Sequence, residues 1–370
     1  MRDPVVSFSA VGDISLGDHP LCVGFGAYSR FKTEAAGFPF ERVERLLRDR
    51  DVVFGNLECT ISRAGGREGV HSSVQMRGEP GNLQGLVDAG FDVLNVANNH
   101  SMQHGKKAFL ETLELLGRQG ISCCGVGDDD QWEATPAIIS RKGLTVGFLG
   151  YSLRPRQYFD HAPLYAEGLA EGIERDVRRV RGEADVVVVS LHWGDEFIRR
   201  PSPEEIALAR GVIDAGADLI IGHHPHVLRG IEHYKSGCIV YSLGNFVCDM
   251  VWDRALRETA ILSCKISREG VHDVELLPMR INDDYQPEPM LVAEGEALLA
   301  EIEKLSRGFG SEPAAVDASY ERDADEALRS MRRRSQLFFL SRLWRYPPRA
   351  LIQILGVFLG NRLQEFGPKS

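Results

Sequence analysis

Three histidines fall within four positions of this chain, His223, His224 and His226, where the apolar run 218–221 stops at Gly222. Imidazoles two residues apart on a loop leaving a strand can both reach one cation, and neutral imidazole suits zinc, manganese, iron or nickel. Pro225 disfavours helical geometry at His224 and is expected to hold it extended. Four other apolar runs end in ligand-type side chains. Asp13 follows residues 5–11, Asn56 and Glu58 follow 51–54, Asn99 and His100 follow 91–96, and His192 and Glu196 follow 185–191. Hard oxygen donors beside imidazoles suit one or two divalent cations, manganese, zinc or iron, kept open to a substrate. Two cations ~3.5–4 Å apart can clamp a phosphoryl group and generate hydroxide at neutral pH. His100, next to Asn99, is then free to protonate a leaving oxygen as the catalytic acid. Each residue also has a plainer reading: Asp13 as a loop cap, Asn99 as a turn residue, His192 as a satisfied strand-end histidine. Their recurrence at five equivalent strand ends favours a metal site. Glu196, His223, Arg229 and Asn245 stand near these residues in sequence and are the candidates for substrate contact.

Such a set needs a scaffold that gathers strand ends. Helical spacing marks residues 39–50, 80–89, 106–118 and 169–182, with Gly90 as a C-cap. Ser202 as N-cap and Pro203 at the first position start a further helix that runs to 215. Strands and helices alternate, which predicts an α/β fold whose ligands bind in the crevice outside the carboxyl ends of the strands. Residues 258–267 and 271–281 read as a hairpin turning at Glu269-Gly270, with no chemistry evident in either strand. From about residue 283 glutamate, alanine and proline dominate, as in a solvated, partly helical or loosely ordered connector. The expected division is a main domain over 1–282, a connector over 283–326 and a basic tail over 327–370.

Composition narrows the class. Hydrophobic residues make up 43% and charged residues 26%, ordinary for a soluble globular protein. A net charge of -10 argues against a general nucleic-acid binder, because no global positive field attracts phosphates. Seven cysteines without framework spacing suit a reducing compartment. Cys123 and Cys124 are adjacent in a strand-like run, so they point to opposite faces and do not share a metal. No apolar leader segment and no stretch of ~20 apolar residues is visible, so the expected location is cytoplasmic.

Six ordered strings resemble the CapA (PgsA-like) poly-γ-glutamate capsule synthesis proteins: GDISLG from Gly12, GNLE from Gly55, ANNHSMQHG from Ala97, HWGDEF from His192, GHHPHV from Gly222 and YSLGNF from Tyr241. That family is in turn similar to the calcineurin-like metallophosphoesterases. The resemblance covers roughly residues 5–281 and implies a four-layer α/β/β/α sandwich with a C-terminal helical extension. It puts Asp13, Glu58, Asn99, His192, His224 and His226 at metal-ligand positions and His100 at the general-acid position. Three positions depart from the pattern. Ser15 stands where the metallophosphoesterase motif has histidine, and Asn56 stands where that motif bridges its metals with aspartate. Gln103 replaces the aspartate that usually follows the Asn-His pair. Asn56 is kept in the candidate metal set, and Glu58 is near enough to supply the missing carboxylate.

The expected function is capsule synthesis with a divalent-metal, hydrolase-like site, acting on an anionic polymer or a phosphoester beside other capsule synthesis proteins. The rivals are a non-catalytic assembly component that holds an anionic chain in the same cleft, and a nucleotidase-like phosphoesterase. Arg199, Arg200 and Arg229 could form the basic patch such a ligand needs, or be solvated loop arginines. The tail adds a separate expectation. Residues 327–364 contain eight arginines and no acid, interleaved with aromatic and aliphatic residues. A basic amphipathic segment of this kind can lie at an anionic membrane surface. The alternative is a helical hairpin packed on the body, or a dimer contact, with the arginines pairing to the acidic body.

Overall fold

Residues 186–191 are apolar at every second position on both phases, apart from Ser190, and such a run suits a strand buried on both faces. In the computed structural model, which describes residues 4–66, 71–127, 133–159, 161–310, 318–349 and 351–352, it is the strand β11 (Val186–His192). Its Val186 and Val188 enter one hydrophobic core, while Val187, Val189 and Leu191 enter another.

Two sheets generate these cores. The first has eight strands among the described residues. Its parallel part is β1 (Val6–Ile14), β2 (Val52–Leu57), β5 (Val93–Asn95) and β6 (Ser122–Cys124), with the short β15 (Asn245–Val247) also parallel to β1. An antiparallel wing follows, β16 (Glu258–Ser267), β17 (Gly270–Ile281) and β18 (Pro287–Pro289), so the expected hairpin is present. The second sheet runs parallel through β10 (Leu144–Ser152), β11, β12 (Leu219–His223) and β14 (Gly237–Val240). Antiparallel β9 (Ala137–Arg141) and β13 (Ile231–Tyr234) close its edges. Two small ladders, β3 (Thr60–Ile61) with β4 (Arg77–Gly78) and β7 (Val126–Gly127) with β8 (Ala134–Thr135), brace the loops.

The sheets pack face to face. Phe8 and Phe54 from the first meet Phe148 from the second, with the Phe54 and Phe148 rings nearly parallel at 5.8 Å. Helices cover the outer faces. The first sheet carries α1 (Ala27–Phe31), α2 (Glu44–Arg48), α3 (Leu83–Asp88) and α4 (Gly105–Arg118). The second carries α5 (Ala170–Arg181) and α6 (Pro203–Asp214), the latter opened by the expected Ser202 cap in a reciprocal box with Glu205. The layer order is therefore α/β/β/α.

One expected helix is broken. Residues 39–50 form a 3₁₀ turn (Phe38–Phe40) and the short α2, because Phe40 and Val43 both bury in the core and the backbone at Val43 (φ -126°) leaves helical geometry to seat them. Tertiary burial outweighs local propensity there.

The short α7 (Arg254–Arg257) precedes the hairpin, and α8 (Val292–Ser306) and α9 (Ala318–Ser341) follow it. Within the 283–326 segment, α8 sets Leu298 and Ile302 against Leu228 and Ala260. From α9 and the turn beyond it, Met331, Phe338, Phe339 and Tyr346 join the first sheet's core, and the Tyr346 ring meets Phe25 edge-on at 5.0 Å. The apolar side of α9 is thus packed on the body. Most of the run 350–360 lies outside the described residues. Among the described residues no helix is long and apolar enough to cross a membrane.

Candidate metal centre

Parallel strands in matched register end together, and that brings the candidate residues into rows. Across β15, β1, β2 and β5 the neighbours are Asn245, Asp13, Asn56 and Asn95. Across β10, β11 and β12 they are Ser152, His192 and His223. The two rows face each other between the sheets. The Asn56 amide donates to Asp13 Oδ1 at 2.8 Å and lies 3.3 Å from His192 Nδ1, while His223 Nδ1 lies 3.0 Å from Asp13 Oδ1. A register shift between Ala10 and Asp13 aims the Asp13 carboxylate into this layer. Gly12 permits it, since a Cβ there would sit 2.0 Å from the Gly244 carbonyl oxygen.

Loop residues complete the centre. Glu58, one residue past β2, is 2% exposed, with Oε1 3.5 Å from His192 Nε2 and 4.0 Å from His100 Nε2. Its Oε2 is 3.8 Å from His226 Nδ1. Asn99 Oδ1 lies 2.8 Å from His192 Nε2, and the Asn99 amide donates to Gln157 at 3.3 Å. His224 is not extended, contrary to the expectation drawn from Pro225. It takes φ 91° and His226 takes φ 60°. Proline excludes the right-handed helical region for its predecessor, and the chain resolves this with positive φ. Strained backbone of that kind persists where the surroundings over-determine it. Here the His224 backbone N–H is tied to Asp13 Oδ2 at 3.1 Å, and His226 Nδ1 to Asn245 Oδ1 at 2.9 Å.

The polar bookkeeping does not close without a further group. Both ring nitrogens of His224, Nε2 of His223 and Oε1 of Glu58 are buried with no hydrogen-bond partner among the described residues. Buried polar atoms are normally satisfied, so four orphans in one place indicate a missing ligand such as an ion. Ligand atoms of Glu58, His224 and His226 lie within 4.8 Å of one another. A carboxylate with two imidazoles fits a divalent transition-metal ion.

Charge states agree with that use. Burial pushes His192 and His224 well below the ordinary histidine range, and His100 down to about 4, leaving neutral imidazoles. Burial also pushes the Glu58 carboxyl well above its usual value, reinforced by the charges of Asp13 and Glu196. Asp13 goes the other way. Burial opposes its ionisation, but the His223 hydrogen bond and its interactions with the surrounding imidazoles together bring it below the carboxylate range.

A cavity of about 230 Å³ opens over this centre. Glu58, Asn99, His100, Glu196 and His226 line it together with Tyr158, Trp252, Met331, Arg332 and Ser335, and the Tyr158 ring lies 5.5 Å from that of His100.

A family model described as bacterial capsule synthesis protein PGA_cap matches residues 7–250, which span every one of these centre residues. The chain belongs to that family. It is 29% identical over 297 residues to a capsule biosynthesis protein CapA from Bacillus anthracis, covering 78% of this chain and 70% of that one. It is 33% identical over 288 residues to a PGA biosynthesis protein CapA from Bacillus subtilis, covering 76% and 73%. A solved putative 5'-nucleotidase from Staphylococcus aureus overlays with a TM-score of 0.45 at 16% identity, over 81% of this chain and 58% of that one.

The positions that depart from the family pattern have structural counterparts. Ser15 turns toward the Gly17 carbonyl and Met76 Sδ. Asn56 bridges Asp13 and His192 by hydrogen bonds. Gln103 Oε1 accepts from His100 Nδ1 at 2.8 Å, an orienting role that a carboxylate could also fill.

Three of the four expected substrate contacts do not line the cavity. Arg229 is fully buried, pairs with Glu205 at 2.6 Å and donates to the carbonyls of Ile198 and Asp195. It therefore holds the loop carrying Glu196. Asn245, also fully buried, orients His226 and donates to the Leu256 carbonyl. His223 is buried against Asp13, and Glu196 alone of the four lines the cavity. Arg199 is engaged by Glu258 and Glu301.

Several residues were not singled out from sequence. Asn95 shares the register row of Asp13, a placement its position at the end of an apolar run could have signalled. Tyr158, Trp252 and Arg332 reach the cavity from segments with no motif of their own.

Proposed function

We propose that this capsule-synthesis family member uses the centre at the strand ends as a divalent-metal site that engages an anionic chain, poly-γ-glutamate, or a phosphoester. The observation that carries the reading is the fully buried His224, whose two ring nitrogens lack partners beside Glu58 and His226. Glu58, His224 and His226 would hold the ion, with His192 and Asn99 beside them. When bound, such an ion polarises an oxygen of the substrate and lowers the pKa of a coordinated water. The chain's own residues do the rest. Asn245 fixes the His226 ring, and Asn99 fixes His192. Gln103 holds His100 with Nε2 toward the cavity, where it can take up a proton and pass it to a leaving oxygen.

One ion is favoured over two. Asp13 already accepts from Asn56, His223 and the His224 backbone, and Asn56 brings no negative charge to bridge a second cation. That same deficit favours a second reading, in which the site binds an anionic chain without turnover.

The test is metal analysis of the purified protein, with Ala at both His224 and His226 as comparison, followed by turnover of an aryl phosphate and of a γ-linked glutamate oligomer. Loss of bound manganese or zinc in an otherwise folded double variant supports the site. Unchanged stoichiometry overturns it. Metal and oligomer binding without cleavage of either compound selects the binding reading.

A further inference from the structure

The helix α9 lies outside the matched family segment 7–250, yet it walls the cavity. Met331, Arg332 and Ser335 line it together with Glu58, Asn99 and His226. The helix is pinned on both sides of Arg332. Met331 is buried, Phe338 packs on Trp252 with ring centroids 5.5 Å apart, and Phe339 meets Tyr346. Arg334 pairs with Asp253, and the Tyr346 hydroxyl donates to the Leu21 carbonyl.

Arg332 itself is unassigned by this packing. It is exposed, and among the described residues its guanidinium has neither an ion pair nor a hydrogen bond. Neighbouring arginines differ: Arg154 is engaged by Gly194 and Asp195, and Arg254 by Glu258. Of the described residues that line the cavity, Arg332 is the one lysine or arginine. The other charged groups there are the carboxylates Glu58 and Glu196. A cavity of this size is smaller than the ~300–1,000 Å³ that takes a drug-sized ligand, so it admits one small unit of a chain at a time. A fork of donors lining the same cavity as Glu58 and His226 matches a second anionic group on that unit, since guanidinium recognises carboxylate and phosphate bidentately.

We propose that Arg332 binds an oxyanion of the substrate, a carboxylate or a phosphate, and that α9 thereby sets the substrate class of the centre. The inference rests on the metal-centre reading for the location of the substrate, though not for the contact itself.

The test uses the full-length protein loaded with manganese, and calorimetric titration of three probes: inorganic phosphate, a γ-linked glutamate tetramer, and the same tetramer with its carboxyls amidated. Arg332→Ala should keep its metal content and melting temperature and bind an anionic probe at least tenfold more weakly. Arg332→Lys should recover part of the loss, because it keeps charge without the fork. A loss confined to the tetramer, absent with its amidated form, identifies a carboxylate, and a loss confined to inorganic phosphate identifies a phosphate. Wild-type affinity for both anionic probes in Arg332→Ala overturns the proposal, as does a wild type that binds neither. A wild type that retains no manganese after loading, yet loses probe binding on Arg332→Ala, overturns the metal centre and leaves the Arg332 contact standing.

Discussion

Gln103 Oε1 lies 2.8 Å from His100 Nδ1, one turn along the same loop, and leaves His100 Nε2 4.0 Å from Glu58. The ring is thereby oriented without being a ligand of the Glu58, His224 and His226 cluster. If the centre turns over substrate, His100→Ala should lower the rate by ~10²–10⁴, the usual worth of a positioned proton donor or acceptor, with metal content unchanged. Gln103→Ala should lower it less, because the ring is retained but free to rotate. Metal analysis beside the rate measurement separates the roles. Loss of metal in His100→Ala would make His100 a ligand.

Asn56 gives a second, sharper case. Its amide donates to Asp13 Oδ1, so Asn56→Asp replaces a hydrogen bond with two buried carboxylates in contact. A buried charge left uncompensated costs roughly 3–5 kcal/mol. A cation between the two groups offsets the repulsion. The variant should therefore melt lower than the parent in chelator, regain stability with manganese, and bind more metal per chain. Equal melting shifts for parent and variant on adding manganese would show that Asn56 does not control a second site.

Much of this centre was legible in the chain because parallel strands carry their polar residues at their carboxyl ends. Five runs with such endings foretold the rows that contain Asp13, Asn56 and His192. The layer order was legible for a related reason, since runs apolar on both phases require cover on both faces. Arg229 shows the limit. A basic residue three positions past His226 reads as a substrate contact, but nothing local announces that Glu205, 24 residues upstream, holds it at 2.6 Å. His224 shows another, for a proline rule that excludes one region of backbone space does not choose between the remaining ones. Arg332 was invisible as a cavity residue because its placement depends on Phe338, Phe339 and Tyr346 docking on a distant core.

The outward side of α9 and of the 3₁₀ turn after it (Leu343–Arg345) carries a different expectation. Leu337 and Leu340 are each 58% exposed and Trp344 is 81% exposed, beside the exposed Arg333. Each arginine near anionic lipid adds about 1 kcal/mol of attraction. The full-length protein should sediment with phosphatidylserine-containing vesicles at low salt and be released at high salt. Replacing Leu337, Leu340 and Trp344 with glutamine should abolish sedimentation while leaving the melting temperature unchanged, since none of the three is in the core. A wild type that stays in the supernatant at low salt removes membrane contact as a role for this face.

The last prediction concerns stability against pH and does not involve the metal centre. Asp18 and Asp249 are fully buried and both approach Gly26. Asp18 accepts from the backbone of Gly24 and Ser29 and from the Ser29 hydroxyl, while Asp249 Oδ2 accepts from the backbone of His19 and Ala27. Asp249 Oδ1 has no partner. Burial raises Asp18 to about 6; burial, and then the charge of Asp18, raises Asp249 to about 8, each from 3.8. The folded chain thus retains protons that the unfolded chain has already released, so stability falls as pH rises. The contribution is complete below about pH 4 and is lost progressively as pH passes through 6 and then 8. One group titrating in a single state changes stability by about 1.4 kcal/mol per pH unit at most. Asp249→Asn keeps an acceptor for His19 and Ala27 and puts an amide where Oδ1 stands alone. Its melting temperature should decline less than the parent's between pH 6 and 9, with the two curves converging toward acid. Parallel curves across that range would show that Asp249 does not hold its proton in the folded chain.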